Sequence, residues 1–123
     1  LKKAAIYLLT FVSLGIATPS LAQEADAAAG QRLFQQRCGT CHQIATPKNG
    51  VGPHLQGIVD RTAGTTEGFK YSDALRDSAI AWNPETLETF LTNPGAMVRG
   101  TRMAQRFNNA DERRAIIQFL GSR

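Results

Sequence analysis

Apolar residues recur at helical spacing along this chain, and no stretch of useful length alternates as a strand would. Ala27, Gly30, Leu33, Phe34 and Arg37 share one face. They predict a helix over Ala27–Arg37 behind a short polar lead, with Asp26 as N-cap. Glycine inside a helix costs about 1 kcal/mol relative to alanine, so Gly30 points to another helix crossing closely there. Ser72 can cap a short helix running to about Ala79, with Asp73 in its first turn. Asn83-Pro84-Glu85 is a helix start, a cap followed by proline at the first helical position. Leu87, Phe90 and Leu91 then give an i, i+3, i+4 apolar face, and Asn93-Pro94 stops it. Asn109, with Glu112 three residues on, resembles a capping box. It precedes a last helix, Ala110–Leu120, whose buried side is Ala115, Ile116, Phe119 and Leu120; Gly121 ends it. Gln43–Gly57 reads as loop, with turn signals at Pro47, Asn49-Gly50 and Gly52-Pro53. Ile58–Gly68 continues irregular. Gly95–Asn108, which holds Met97 and Met103, has little periodicity. No internal repeat is visible, and the pattern is all-α.

The first residues read differently. Lys2 and Lys3 form a basic lead, Ala4–Ala17 is apolar, Pro19 breaks the run, and Ser20-Leu21-Ala22 is a small-x-small tripeptide. This is the layout of a secretory signal peptide over residues 1–22, with cleavage expected after Ala22. A transmembrane anchor needs about 20 apolar residues, and this run is shorter. Residues 23–123 then form one domain, of a size at which a core alone is marginal. The formal charge of +4 falls by two without Lys2 and Lys3, so any steering of partners must come from charge asymmetry. There is no dense basic run and no aromatic platform pattern, which excludes nucleic acid as a partner.

The chemistry is concentrated at Cys38-Gly39-Thr40-Cys41-His42, which holds both cysteines of the chain. C-x-x-C-H is the attachment signal for a c-type haem. Two thiols three residues apart lie on one side of a helical turn. From there they can reach the two vinyl groups on one porphyrin edge, while the adjacent histidine offers a nitrogen to the iron. Three other readings compete. A dithiol redox pair usually sits beside a βαβ pattern, which is missing here. A zinc site could take Cys38, Cys41, His42 and His54, but Cys41 and His42 would point apart and no H-x₃₋₅-H pair follows. A disulfide between Cys38 and Cys41 would close a very small, strained loop.

Beyond that motif, many short stretches occur in one familiar order: Gly30 with Phe34; Gly52-Pro53-His54-Leu55; Arg61 with Gly64; Phe69-Lys70-Tyr71-Ser72-Asp73-Ala74; Trp82-Asn83; Leu91 with Asn93-Pro94; Gly100-Thr101-Arg102-Met103; Ile116-Ile117; and Phe119-Leu120. In these the chain resembles a class I cytochrome c, similar to mitochondrial cytochrome c and its soluble bacterial relatives. The resemblance covers essentially all of residues 23–123. It implies four to five short helices around one covalently attached haem c. Cys38 and Cys41 would carry the thioethers, and His42 and Met103 would be the axial ligands. The Pro53 carbonyl would accept the His42 ring N–H. Arg61, Tyr71 and Trp82 would surround the propionates, and Leu55, Leu87 and Leu91 would line the pocket. Four positions depart from the family pattern: Arg99 where proline is usual, Phe90 where tyrosine is frequent, Gln105 where an aromatic residue is common, and Leu75 where a polar residue is frequent.

The resemblance implies a soluble electron carrier of the periplasm, not an enzyme, acting as a monomer with at most peripheral membrane contact. Its partners would be redox proteins such as a quinol–cytochrome c reductase, a terminal oxidase, a reaction centre or a dehydrogenase. Arg37, Arg99, Arg102 and Arg106 flank the ligands in sequence and could ring the haem edge, attracting an acidic partner. Two other functions remain open. The chain could be a haem subunit of a periplasmic oxidoreductase, or a peroxidase-like haem enzyme if the methionine is labile.

Overall fold

The first and last helices among the described residues cross, and the rest is arranged around them. The computed structural model describes residues 15–123, with helices α1 (Leu21–Arg37), α2 (Asp73–Arg76), α3 (Pro84–Thr92), α4 (Pro94–Met97) and α5 (Ala110–Gly121). Among the described residues, extended pairing is limited to one isolated bridge, Thr62 to Ala81. α1 packs on α5, and α5 on α3. The core formed there includes Phe34, Cys38, Leu87, Leu91, Phe107, Ile116, Phe119 and Leu120.

Gly30 lies at the crossing. A Cβ there would run into the Ala115 carbonyl oxygen and come within 2.8 Å of Phe119 Cβ. Four residues on, the Phe34 and Phe119 rings meet at 5.4 Å. Gly30→Val is therefore expected to destabilise the protein by about 1–3 kcal/mol through overpacking. At roughly 4–8 °C per kcal/mol for a domain of this size, a thermal melt will show it. An unchanged melting temperature would mean that the two helices do not touch at Gly30.

Four features differ from the sequence reading. α1 begins at Leu21, not Ala27, because Ser20 and Gln23 form a capping box: the Ser20 N–H donates to Gln23 Oε1 at 3.1 Å and the Gln23 N–H to Ser20 Oγ. The polar lead is thus helical and solvent-exposed. The signal-peptide reading falls on residues 1–14, which lie outside the described residues, and on residues 15–22. Its expected cleavage tripeptide occupies the cap and first turn of α1. α2 stops at Arg76 instead of reaching Ala79, since Ser78 Oγ donates to the Leu75 carbonyl at 2.7 Å and Ala79 takes a positive φ of 55°. The segment after Asn93-Pro94 is not wholly irregular. Pro94 ends α3 but also suits the first position of a new helix. Asn93 Oδ1 accepts the Ala96 N–H to cap the single turn of α4. Finally, the capping box at α5 is only half formed. Asn109 Oδ1 accepts from the Asp111 and Glu112 N–H groups, but the Glu112 carboxylate pairs with Arg37 at 2.6 Å.

Two arginines fasten the chain between α4 and α5. Arg37 donates to the Arg106 carbonyl and sits 4.3 Å from the centre of the Phe107 ring. Arg113 donates to Glu88 Oε1 and to the Phe107 carbonyl, each at 2.6 Å. The Phe107 side chain is fully buried, and its N–H donates to the Leu91 carbonyl.

Candidate haem site

The Cys38–His42 segment winds on from α1 as a turn. The Cys38 and Gly39 N–H groups both donate to the Phe34 carbonyl, and those of Cys41 and His42 to the Cys38 carbonyl, at 2.7–3.1 Å. Both cysteines are free, so no disulfide joins them. Among the described residues no group of three His, Cys, Asp or Glu side chains is placed to hold a metal, so the four-ligand zinc arrangement is not assembled. Cys38 is buried and Cys41 exposed. Burial pushes the Cys38 thiol up to about 11, with Arg37 pulling the other way. A neutral sulfur therefore suits that position, as it would be in a thioether.

The next loop folds back over this turn. The Gly52 N–H donates to the Cys41 carbonyl at 2.9 Å and the Leu55 N–H to the Gln43 carbonyl at 2.8 Å. A Cβ on Gly52 would come within 2.7 Å of His42 Nδ1, so only glycine lets the backbone pass the imidazole. His42 Nδ1 and the Pro53 carbonyl oxygen are 2.7 Å apart. Burial lowers the His42 pKa, and the bond to Pro53 opposes this only in part. In the neutral ring Nδ1 is the donor, which leaves the Nε2 lone pair free for a metal.

On the other side, Arg61, Tyr71 and Trp82 are brought together. The Asp60 N–H donates to the Trp82 carbonyl, and the Trp82 N–H to the Arg61 carbonyl, which ties the 58–64 loop to the lead into α3. Arg61 donates to Thr66 Oγ1 at 2.6 Å and to the Gln56 carbonyl. The Thr66 N–H donates to Tyr71 Oη at 3.3 Å. Thr66, buried at 7% exposure, thus joins Arg61 to Tyr71. Nothing in the sequence marks it, since it sits in a glycine- and threonine-rich loop without periodicity. Trp82 packs edge-on against Phe90 at 5.0 Å, and Leu87 and Leu91 are buried beside them. Leu55 and Met103 are half-buried against the same core. A cavity of about 840 Å³ opens between Gly64, Tyr71 and Ala74 on one side and Gly100 and Arg102 on the other. Arg102 donates to the Lys70 carbonyl across it at 2.8 Å, which pins the segment leading to Met103.

The cytochrome c family model matches residues 27–123. The chain belongs to the cytochrome c family. It is 42% identical over 98 residues to the cytochrome c-type cyt cy of Rhodobacter capsulatus, covering 79% of this chain and 49% of that protein. The chain therefore spans about half the length of that relative. It is 40% identical over 99 residues to cytochrome c2 of Rhodomicrobium vannielii, covering 79% of this chain and 78% of that one. The structure of cytochrome cH from Methylobacterium extorquens superposes with a TM-score of 0.74 at 37% identity, over 80% of this chain and 99% of that chain. This cytochrome is thus an electron-transfer protein of the mono-haem c type, and its cofactor is covalent haem c. The residues present fit that group: two free thiols on one turn, a neutral imidazole with its Nδ1 engaged, and a thioether on a pinned loop.

One part of the expected surface changes. Of the four arginines read as ringing the haem edge, Arg99, Arg102 and Arg106 are exposed. Arg37 is held by Glu112 and lies over Phe107, so it serves the internal packing instead.

Proposed function

We propose that this cytochrome shuttles single electrons between redox proteins, with Cys38 and Cys41 holding the haem and His42 and Met103 as its axial ligands. The observation that carries this reading is the His42 ring, whose Nδ1 is engaged by the Pro53 carbonyl at 2.7 Å. When bound, the haem supplies a one-electron iron couple whose potential is raised by thioether ligation. The chain's own residues do the rest. Pro53 holds the Nδ1 proton and fixes the plane of the imidazole. Leu55, Leu87 and Leu91 keep water from the pocket, and Arg61, Tyr71 and Trp82 offer a cation and N–H or O–H donors to the propionates. With His42 and Met103 both holding the iron, no coordination site would remain for a substrate, which favours a carrier over an enzyme.

We place docking of the partner beside exposed Cys41, with Arg99, Arg102 and Arg106 drawing an acidic surface. Export to the periplasm, with removal of residues 1–22, is supported by the basic–apolar–small layout and by a family match that starts only at residue 27. No helix among the described residues is long and apolar enough to cross a membrane. A monomer with at most peripheral membrane contact completes the reading. The test is the visible spectrum of the oxidised and reduced holoprotein, a pyridine assay for thioether-linked haem, and carbon monoxide added to the ferrous form at neutral pH. Thioether-linked haem that ignores carbon monoxide supports the carrier. Ready binding would favour the peroxidase-like alternative.

A further inference from the structure

The Pro53–His54 peptide is engaged at both of its polar atoms. Its carbonyl oxygen lies 2.7 Å from His42 Nδ1. Its N–H donates to Asn49 Oδ1 at 3.0 Å. Asn49 Nδ2 in turn donates to the Glu67 carbonyl at 2.9 Å. One neighbour needs an acceptor and the other a donor, so a single orientation of the Asn49 amide satisfies both. Asn49 is exposed, and burial therefore does not demand these bonds.

We propose that Asn49 is a positioning residue for the iron ligand His42, acting through the Pro53–His54 peptide. The inference rests on His42 being that ligand, as proposed above. Two effects follow from the geometry. A peptide held at both polar atoms cannot rotate its carbonyl away from the imidazole N–H. Hydrogen bonds in series also polarise one another. A peptide whose N–H is engaged accepts more strongly at its carbonyl, draws on the Nδ1 proton and makes Nε2 a better donor to the metal. An electron-rich imidazole favours ferric iron and lowers the potential. The bond to the Glu67 carbonyl keeps the amide from swinging out. The adjacent backbone turns back tightly, the Gly50 N–H donating to the Gly52 carbonyl at 2.9 Å.

The test compares three variants of the holoprotein. Asn49→Ala removes the acceptor, so the reduction potential should rise and the His42 ring proton should exchange faster with solvent. Asn49→Asp gives up the donor to the Glu67 carbonyl but keeps an acceptor for the His54 N–H and makes it charged, which strengthens that bond, so the potential should fall. Lys48→Gln, an exposed neighbour, changes the charge by the same amount without touching the peptide, and its fall should be smaller. A mere loosening of the loop would move both Asn49 variants the same way. That result, or Asn49→Asp matching Lys48→Gln with the ring proton unchanged, overturns the proposal. Should an Asn49 variant not fold, the wild-type protein decides by amide exchange. The His54 N–H should be protected, and exchange as fast as that of the exposed Lys48 amide overturns it. Wild-type spectra without imidazole–thioether ligation would instead reject the function proposed above. Normal ligation with variants that do not diverge rejects only the role of Asn49.

Discussion

Replacing Met103 with alanine is expected to abolish the ferric sulfur-to-iron absorption band, lower the reduction potential and open the ferrous iron to carbon monoxide. Met97→Ala should leave all three nearly intact. Both methionines are half-buried and pack against the core, so burial does not choose between them. Their settings do. Met97 closes the single turn of α4, where its N–H donates to the Asn93 carbonyl and that of Val98 to the Pro94 carbonyl. Met103 lies beyond Gly100-Thr101-Arg102, a segment fastened to Lys70 across the cavity. With Met103 as the ligand proposed above, loss of its thioether would remove the soft ligand that favours ferrous iron and leave a coordination position for an outside molecule. If the two variants exchange their behaviour, the ligand is Met97 and the segment after Pro94 serves the iron instead.

The second large effect concerns folding. Cys38→Ala together with Cys41→Ala is expected to give a chain without a cooperative thermal transition. Domains of this size bury a smaller share of their surface than larger ones do, so their cores are marginal alone. Here Cys38 belongs to the same buried cluster as Phe34, Leu87, Leu91 and Phe119, and a covalent haem would supply the largest apolar body in the pocket. A ligand that binds only the folded state adds its binding free energy to stability, and covalent attachment makes that contribution permanent. Circular dichroism against temperature reads the outcome. A double variant that melts like wild type would show that the polypeptide core suffices.

What the sequence disclosed follows the reach of each signal. The Cys38–His42 turn was legible because the chemistry needs those residues at that spacing. The Gly30 crossing was legible because a glycine inside a helix needs a reason. α3 announced itself through Asn83-Pro84, and its cap is reciprocal, with the Thr86 N–H on Asn83 Oδ1 at 2.8 Å and the Asn83 N–H on Thr86 Oγ1 at 2.9 Å. The capping box at Asn109 misled for a long-range reason: Arg37, 75 residues away in sequence, claims the Glu112 carboxylate. α4 was hidden because one proline both ends a helix and starts the next. The roles of Met103, Arg61 and Tyr71 came from resemblance alone, since loops carry no period. Thr66 and Asn49 escaped for the same reason. Each is a short polar side chain whose importance lies in which backbone atoms it meets.

The pairing of α1 with α5 also sets a schedule. Contacts between distant segments carry the entropy cost of closing the intervening loop, and they cannot form before the later segment has been made. During synthesis the Cys38–His42 turn emerges long before Ile116 and Phe119 exist to pack behind it. Until the core closes, the Cys38 thiol is left uncovered, whereas Cys41 stays exposed even in the finished fold. Cys38 is thus made early but can be covered only once the far end of the chain is in place, so closing of the core would end the period in which its thiol can react.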